Sequence, residues 1–203
     1  MTSLRKGIGN RKDVERYYDK WSNTYDRTLH KWNYKAPLQS VNIFKKYVKT
    51  KPKYLLDLAC GTGLFVEKFS QIYPECICDG SDISRKILNV SKRNGKYRYL
   101  YKKNFENKIQ IVNKYNLVSL IGAMTYCENY QSLSKLVSYY LAKNGYFIFT
   151  HRVDLWGELK FDNVLKSLID FKLIYKSRAL NYLPKNKDFG SDIKIRIVLL
   201  LKK

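Results

Sequence analysis

Residues 55–65 read Leu55-Leu56-Asp57-Leu58-Ala59-Cys60-Gly61-Thr62-Gly63-Leu64-Phe65. The run Tyr54 to Leu58 is apolar apart from one acid, the pattern of a strand covered on both faces in a parallel sheet. Leu64 to Ile72 has helical spacing. The turn between them carries two glycines, which supply unusual dihedrals and leave the backbone bare for a ligand. About twenty residues on, Cys78-Asp79-Gly80-Ser81-Asp82-Ile83-Ser84 ends a second strand with an acid, where a carboxylate can accept both hydroxyls of a ribose.

Strands and helices alternate outward from this pair. Cys76 to Asp79, Tyr97 to Tyr101, Leu117 to Ile121 and Gly145 to Thr150 read as strands, and Ser84 to Arg93, Gln131 to Leu141 and Asn163 to Ile169 as helices. Phe171 to Leu180 and Ile193 to Leu201 are extended runs joined by a Pro and Gly punctuated loop, which predicts an antiparallel hairpin closing the sheet. This is a doubly wound α/β pattern. On the N-terminal side, residues 1–12 read as a flexible basic tail. Asp13 is placed to cap a helix bearing Val14, Tyr17, Tyr18 and Trp21, and a second helix follows Pro37 with Leu38, Val41, Phe44 and Val48 on one stripe. The expected division is a tail over 1–12 and a single domain over 13–203, of which 13–50 form a helical lid.

The chain has 203 residues, 45% hydrophobic, enough for one core without disulfide or metal staples. No apolar stretch is long enough to cross a bilayer and the N-terminal residues lack an apolar signal core, so a cytoplasmic location is expected. Cys60, Cys76, Cys78 and Cys127 have no zinc-type pairing and read as free thiols; no metal is indicated. The net charge of +22 suits an anionic partner, but the cations are spread along the chain without a dense run, as AT-biased codon usage would also produce.

A dinucleotide fingerprint would place a third glycine where Val66 stands, and Asp57 would set a negative charge beside a pyrophosphate. A ligand with a ribose, no phosphate and its own positive charge suits these residues better. The sequence resembles the class I S-adenosylmethionine-dependent methyltransferases of small-molecule type, from about Tyr17 to the C-terminus. The resemblance implies a Rossmann-like, mostly parallel sheet of roughly seven strands with a reversed last hairpin, and S-adenosylmethionine as cofactor with S-adenosylhomocysteine as product. It implies that the turn with Asp57, Ala59, Cys60, Gly61 and Gly63 wraps the methionine part, that Asp82 binds the ribose and that Ile83 lies on the adenine. Asn104-Phe105 stands where the family often has an acid contacting the adenine amine. Asn116 replaces an acid at the fourth strand, and Asn144 replaces the first of two glycines before the fifth.

In such sheets ligands lie beyond the carboxyl ends of the strands, which turns attention to Gly122 through Cys127 and to His151-Arg152. The aromatic segment with Tyr18, Trp21, Tyr25 and Tyr34 resembles the lid of small-molecule members, and its rings can border the sulfonium or form the buried stripe of a docking helix. Acceptor contacts are expected from Trp21, Tyr34, Tyr126, His151 and Arg152. His151 is the candidate base; Arg152 either grips an acceptor anion or pairs with Asp154. The expected partner is a small-molecule acceptor, with an anionic one left open by the basic charge. The pattern after the fourth strand, Ile121 to Tyr126, lacks the proline motif of nucleic-acid amine methylation, which speaks against nucleic acid. Peripheral contact with an anionic membrane, as a phospholipid headgroup N-methyltransferase, stays open, as does a cofactor-binding protein without catalysis. Nothing in the sequence fixes the oligomeric state.

Overall fold

The computed structural model describes residues 9–189 and 192–203. Its elements run α1 (Arg11–Trp21), α2 (Tyr25–Lys31), α3 (Ala36–Tyr47), β1 (Tyr54–Leu58), α4 (Leu64–Ser70), β2 (Ile77–Asp82), α5 (Arg85–Arg93) and β3 (Tyr99–Lys102). They continue as β4 (Tyr115–Leu120), a short 3₁₀ turn over Met124–Tyr126, α6 (Tyr130–Tyr140), β5 (Leu141–Arg152), α7 (Val153–Glu158), α8 (Phe161–Ser167), β6 (Phe171–Lys176), β7 (Leu180–Asn181) and β8 (Lys194–Lys202).

The expected α/β architecture is present, with the sheet order β3-β2-β1-β4-β5-β8-β6 and the two-residue β7 paired to β8 as an eighth strand. β1 pairs in parallel with both β2 and β4, and β8 runs antiparallel between β5 and β6. The unbroken apolar run of β1 follows from burial on both faces. Leu56 and Leu58 join a cluster with Val118, Leu120 and Phe149, whereas Leu55 joins Phe44, Phe69 and Leu117 on the other side. The first face is covered by α6 and α8 through Leu133, Val137 and Phe161, and the second by α3 and α4 through Val41, Phe44, Phe65 and Phe69.

Two asparagines at predicted replacement sites have structural work. Asn116 Oδ1 accepts from the backbone N–H of Lys53 and Tyr54 at 2.9 and 3.0 Å, pinning the entry of β1 to β4. Asn144 sits at φ 60°, a left-handed conformation that asparagine tolerates, as expected for a residue in a glycine's place.

Several boundaries differ from the sequence reading. Asn10, not Asp13, caps α1, its side chain accepting from the N–H of Lys12 and Asp13, so the helix reaches into the expected tail; residues 1–8 of that tail lie outside the described residues. Leu38 is exposed rather than part of the α3 stripe. β2 extends three residues past Asp79, so Asp82 is its last residue. Tyr97 lies outside β3, and its ring packs beside the glycine turn instead. α2 and α7 were not resolved as separate helices by periodicity, each being under two turns. No helix among the described residues is long and apolar enough to cross a membrane.

Candidate active site

The C-terminal ends of β1, β2 and β4 open onto a cavity of about 420 Å³, within the range of about 300–1,000 Å³ usual for small-molecule sites. Its floor is the turn after β1, where Ala59, Gly61 and Gly63 all adopt positive φ (49°, 58° and 97°). For Ala59 this backbone is uncommon, and such conformations cluster at ligand sites. Ile83, Ile87, Phe105 and Val14 give the cavity apolar walls, and Asp82, Asn104, Tyr18, Tyr25, Gly122 and Tyr126 also line it.

The Asp82 carboxylate is held by two backbone donors, Gly61 N–H at 3.0 Å and Ser84 N–H at 2.9 Å. Burial nevertheless raises its pKa to about 6, the two hydrogen bonds opposing the shift. Asn104 Oδ1 accepts from the N–H of Glu106 at 2.8 Å, which fixes the amide plane at the cavity edge.

Eleven of the twelve residues expected around the cofactor fall in two groups, with Gly63 in neither. Tyr18, Tyr25, Ala59, Gly61, Asp82, Ile83, Asn104, Phe105 and Gly122 line the cavity itself. Cys60 lines a narrow cleft of about 30 Å³ behind the turn. Gly63 instead starts α4 as its N-cap, with the Tyr97 ring 3.2 Å from where a Cβ would stand. Asp57 is 1% exposed and borders the rear cleft, not the main cavity. It accepts from Tyr97 Oη at 2.8 Å and Ser119 Oγ at 2.6 Å, so it braces the turn from below.

Burial raises the Asp57 pKa to about 7, against the lowering effect of the Ser119 and Tyr97 hydroxyls. A carboxyl group whose folded pKa is raised stabilises the fold fully below its unfolded pKa, and that contribution is lost as pH rises through the folded value. Wild-type protein should therefore lose stability between pH 5 and 8 relative to Asp57→Asn, by on the order of 2 kcal/mol. Urea unfolding of both proteins across that range checks this; parallel pH profiles would refute it.

Helices α1 and α2, which contribute Arg11, Val14, Tyr18 and Tyr25 to the cavity lining, are tied to the rest of the fold by polar contacts that the sequence did not reveal. Arg11 of α1 reaches Glu106 at 3.2 Å and Glu128 at 2.9 Å, and Glu15 meets Lys102 at 2.7 Å. Asp19 accepts from Ser84 Oγ at 2.5 Å and from Lys86 N–H at 3.1 Å, so α1 helps to cap α5. Asp26 of α2 accepts from Thr62 Oγ1 at 2.5 Å, and the hydroxyls of Tyr18 and Tyr126 lie 3.2 Å apart. Individually such half-exposed pairs are weak. Arg11→Ala should raise the dissociation constant of a cavity ligand by only about threefold to tenfold, with a reduced salt dependence, measurable by titration at two ionic strengths.

A second pocket of about 40 Å³ adjoins the cavity and shares with it Tyr18, Tyr25, Gly122, Thr125 and Tyr126. Trp21, Tyr34 and Arg152 line it, so these expected acceptor residues, with Tyr126, come together. Tyr182 and Phe189 from the loop before β8 complete it, and nothing in their sequence context distinguished them from surface loop. Gly122 is required in this wall: its φ is 84°, and a Cβ there would stand 2.7 Å from Tyr34 Oη.

His151 lines neither cavity, which corrects the expectation of a base at that position. Successive residues of a strand face opposite sides, so Arg152 enters the pocket and His151 points into the aromatic layer beneath α7 and α8. Its Nε2 lies 3.1 Å from Tyr130 Oη, its ring centroid is 4.5 Å from that of Phe161, and burial lowers its pKa to about 4.

The model of a methyltransferase domain family matches residues 56–149. Over 83 residues the chain is 29% identical to a malonyl-[acyl-carrier protein] O-methyltransferase of Halalkalibacterium halodurans, a stretch covering 40% of this chain and 31% of that relative. The matched part thus spans under a third of the curated relative. Among solved structures, the fold is similar to a putative S-adenosylmethionine-dependent methyltransferase from Listeria monocytogenes, with TM-score 0.63, 17% identity and coverage of 82% of this chain and 99% of that one. It is likewise similar to the N-methyltransferase NodS from Bradyrhizobium japonicum in complex with S-adenosylhomocysteine, with TM-score 0.62, 12% identity and coverage of 89% and 98%. At such identities these two likenesses speak to the fold.

Proposed function

We propose that this chain is a class I S-adenosylmethionine-dependent methyltransferase and transfers a methyl group from S-adenosylmethionine to a small-molecule acceptor, a reading supported by the matched methyltransferase domain and the shared fold. The observation that carries this reading is the Asp82 carboxylate, held by Gly61 and Ser84 N–H at the edge of a cavity of about 420 Å³. The cavity residues fit an adenosyl group: a carboxylate for paired hydroxyls, and apolar Ile83, Ile87 and Phe105 for a flat ring. Asn104, with its oxygen already accepting from Glu106, would offer its amide N–H to a ring nitrogen.

The bound cofactor supplies an electrophilic methyl on a sulfonium. The chain's own part is to align and to exclude water, because in-line displacement depends mainly on approach geometry. Tyr18, Tyr25 and Tyr126, in the wall shared by the two cavities, suit a positive sulfonium through their ring faces. Gly122 leaves space between the two cavities where a side chain would obstruct passage. The latched α1 and α2 exclude solvent.

Calorimetry with S-adenosylmethionine and S-adenosylhomocysteine tests the reading. Binding of both is expected, and a folded protein that ignores both at millimolar concentration would overturn it.

A further inference from the structure

Resting on the cofactor reading above, we infer that Asp19 and Asp26 are positioning residues for the adenosyl site. From α1 and α2 they hold the two loops that carry Asp82 and Gly61, so cofactor affinity and the docking of these helices are coupled. Neither acid lines the main cavity, the second pocket or the rear cleft. Each ends instead on a buried hydroxyl, Thr62 being 1% exposed and Ser84 0%. That separates these two contacts from the half-exposed ion pairs of Arg11 and Glu15, because a buried hydroxyl that loses its partner is left unpaired away from water.

Asp26 acts on the turn after β1. Thr62 stands between Gly61 and Gly63, in a turn where Ala59 and both glycines have positive φ. A backbone of that kind persists where surrounding contacts over-determine it. Helix α5 supplies two of them, Ser91 Oγ donating to the Gly61 carbonyl at 2.5 Å and Asn94 Nδ2 to the Thr62 carbonyl at 2.9 Å. Asp82 accepts from Gly61 N–H at 3.0 Å. Thr62 Oγ1, donating to Asp26 at 2.5 Å, ties the turn to α2 through its own side chain.

Asp19 acts on the loop after β2. Its Oδ1 accepts from Ser84 Oγ at 2.5 Å and from Lys86 N–H at 3.1 Å. Ser84 Oγ in turn accepts from Ile87 N–H at 3.1 Å, while Ser84 N–H donates to Asp82 at 2.9 Å. One residue therefore separates Asp19 from the carboxylate assigned to the ribose.

A ligand that binds only the ordered turn has its affinity scaled by the fraction of molecules in which the turn is ordered. By reciprocity the ligand steadies α1 and α2 as much as they steady it. These helices also carry Tyr18, Trp21, Tyr25 and Leu29 to the second pocket, so a cofactor that settles the turn settles that wall too.

Calorimetry with S-adenosylhomocysteine, whose thioether carries no charge, tests the inference. Asp19→Ala and Asp26→Ala should each bind about fivefold or more weakly than wild type. Asp19→Asn and Asp26→Asn should stay within about threefold of it, because an amide oxygen still accepts the same bonds. Thr62→Val, which removes the same bond from the side of the turn, should weaken binding as Asp26→Ala does, and the double variant should be no weaker than either alone. Hydrogen exchange gives the reciprocal measurement. In wild type S-adenosylhomocysteine should slow exchange of the α1 and α2 amides, and in the alanine variants that slowing should shrink. Residues serving the fold alone would lower the urea midpoint and leave this slowing intact. Should an alanine variant fail to fold, Thr62→Val and the wild-type exchange decide the matter. Alanine or Thr62→Val variants that bind like wild type, additive losses for Asp26→Ala and Thr62→Val, an asparagine variant as weak as its alanine counterpart, or wild-type exchange unmoved by bound ligand overturns the inference. Failure of S-adenosylhomocysteine to bind wild type at all marks failure of the cofactor reading instead.

Discussion

Asp82→Ala is expected to weaken S-adenosylhomocysteine binding roughly 100-fold, the loss of two charge-assisted hydrogen bonds at about 1.5 kcal/mol each. The carboxylate is fixed from behind by Gly61 and Ser84 N–H and borders the cavity, so a ribose would find it already oriented. Truncation also strips a partner from each of those N–H groups. Asp82→Asn separates the two effects, because its amide oxygen can still serve one backbone donor while the charge is gone. It should remain nearly as stable as wild type and still bind at least tenfold more weakly. Isothermal calorimetry on both variants decides the matter, and unchanged affinity in either would remove Asp82 from the cofactor site.

The largest effect on stability is expected three residues earlier, at Asp79. This residue is fully buried and accepts four bonds: Arg98 Nε at 3.1 Å and Nη2 at 2.6 Å, Tyr99 N–H at 3.1 Å and Tyr115 Oη at 2.7 Å. It thereby ties β2 to β3 and, through Tyr115, to β4. Asp79→Ala leaves the Tyr115 hydroxyl buried and unpaired, while Arg98, whose side chain is 28% exposed, can still reach water. The cost should lie near the lower end of that for breaking a buried pair, about 3 kcal/mol. Tyr115→Phe, which removes one donor and leaves Asp79 its other partners, should cost only about 1 kcal/mol. Urea unfolding measures both, and a loss under 1 kcal/mol for Asp79→Ala would show that the cluster is not what joins these strands. S-adenosylhomocysteine affinity of the folded Asp79→Ala protein should stay within about threefold of wild type, since the two acids serve different partners.

The contrast between these two acids shows how far the site could be read from sequence. Both stand in one short stretch, Asp79-Gly80-Ser81-Asp82, and strand geometry alone makes either a candidate for the strand tip. Only the extension of β2 to residue 82, set by its pairing with β1 and β3, decides that Asp79 lies inside the sheet and Asp82 at its edge. Asp57 is a similar case. Its place in the glycine-turn motif was legible, but its position beneath the turn depends on Tyr97 and Ser119, 40 and 62 residues away.

What the sequence by itself determined was the parallel α/β sheet, the glycine turn and the acid on the neighbouring strand. These rest on local signals: apolar runs of strand length, glycine where φ is positive, and helical spacing between them. What only the tertiary structure decided was the make-up of the second pocket. Whether His151 or Arg152 enters the pocket depends on which face of β5 meets the lid, and that face is chosen by the packing of α7 and α8 against His151. The pocket wall draws Tyr34, Gly122, Arg152 and Tyr182 from four separate parts of the chain. No local pattern encodes a meeting among residues that far apart, because it arises only when the sheet has formed and the N-terminal helices pack upon it.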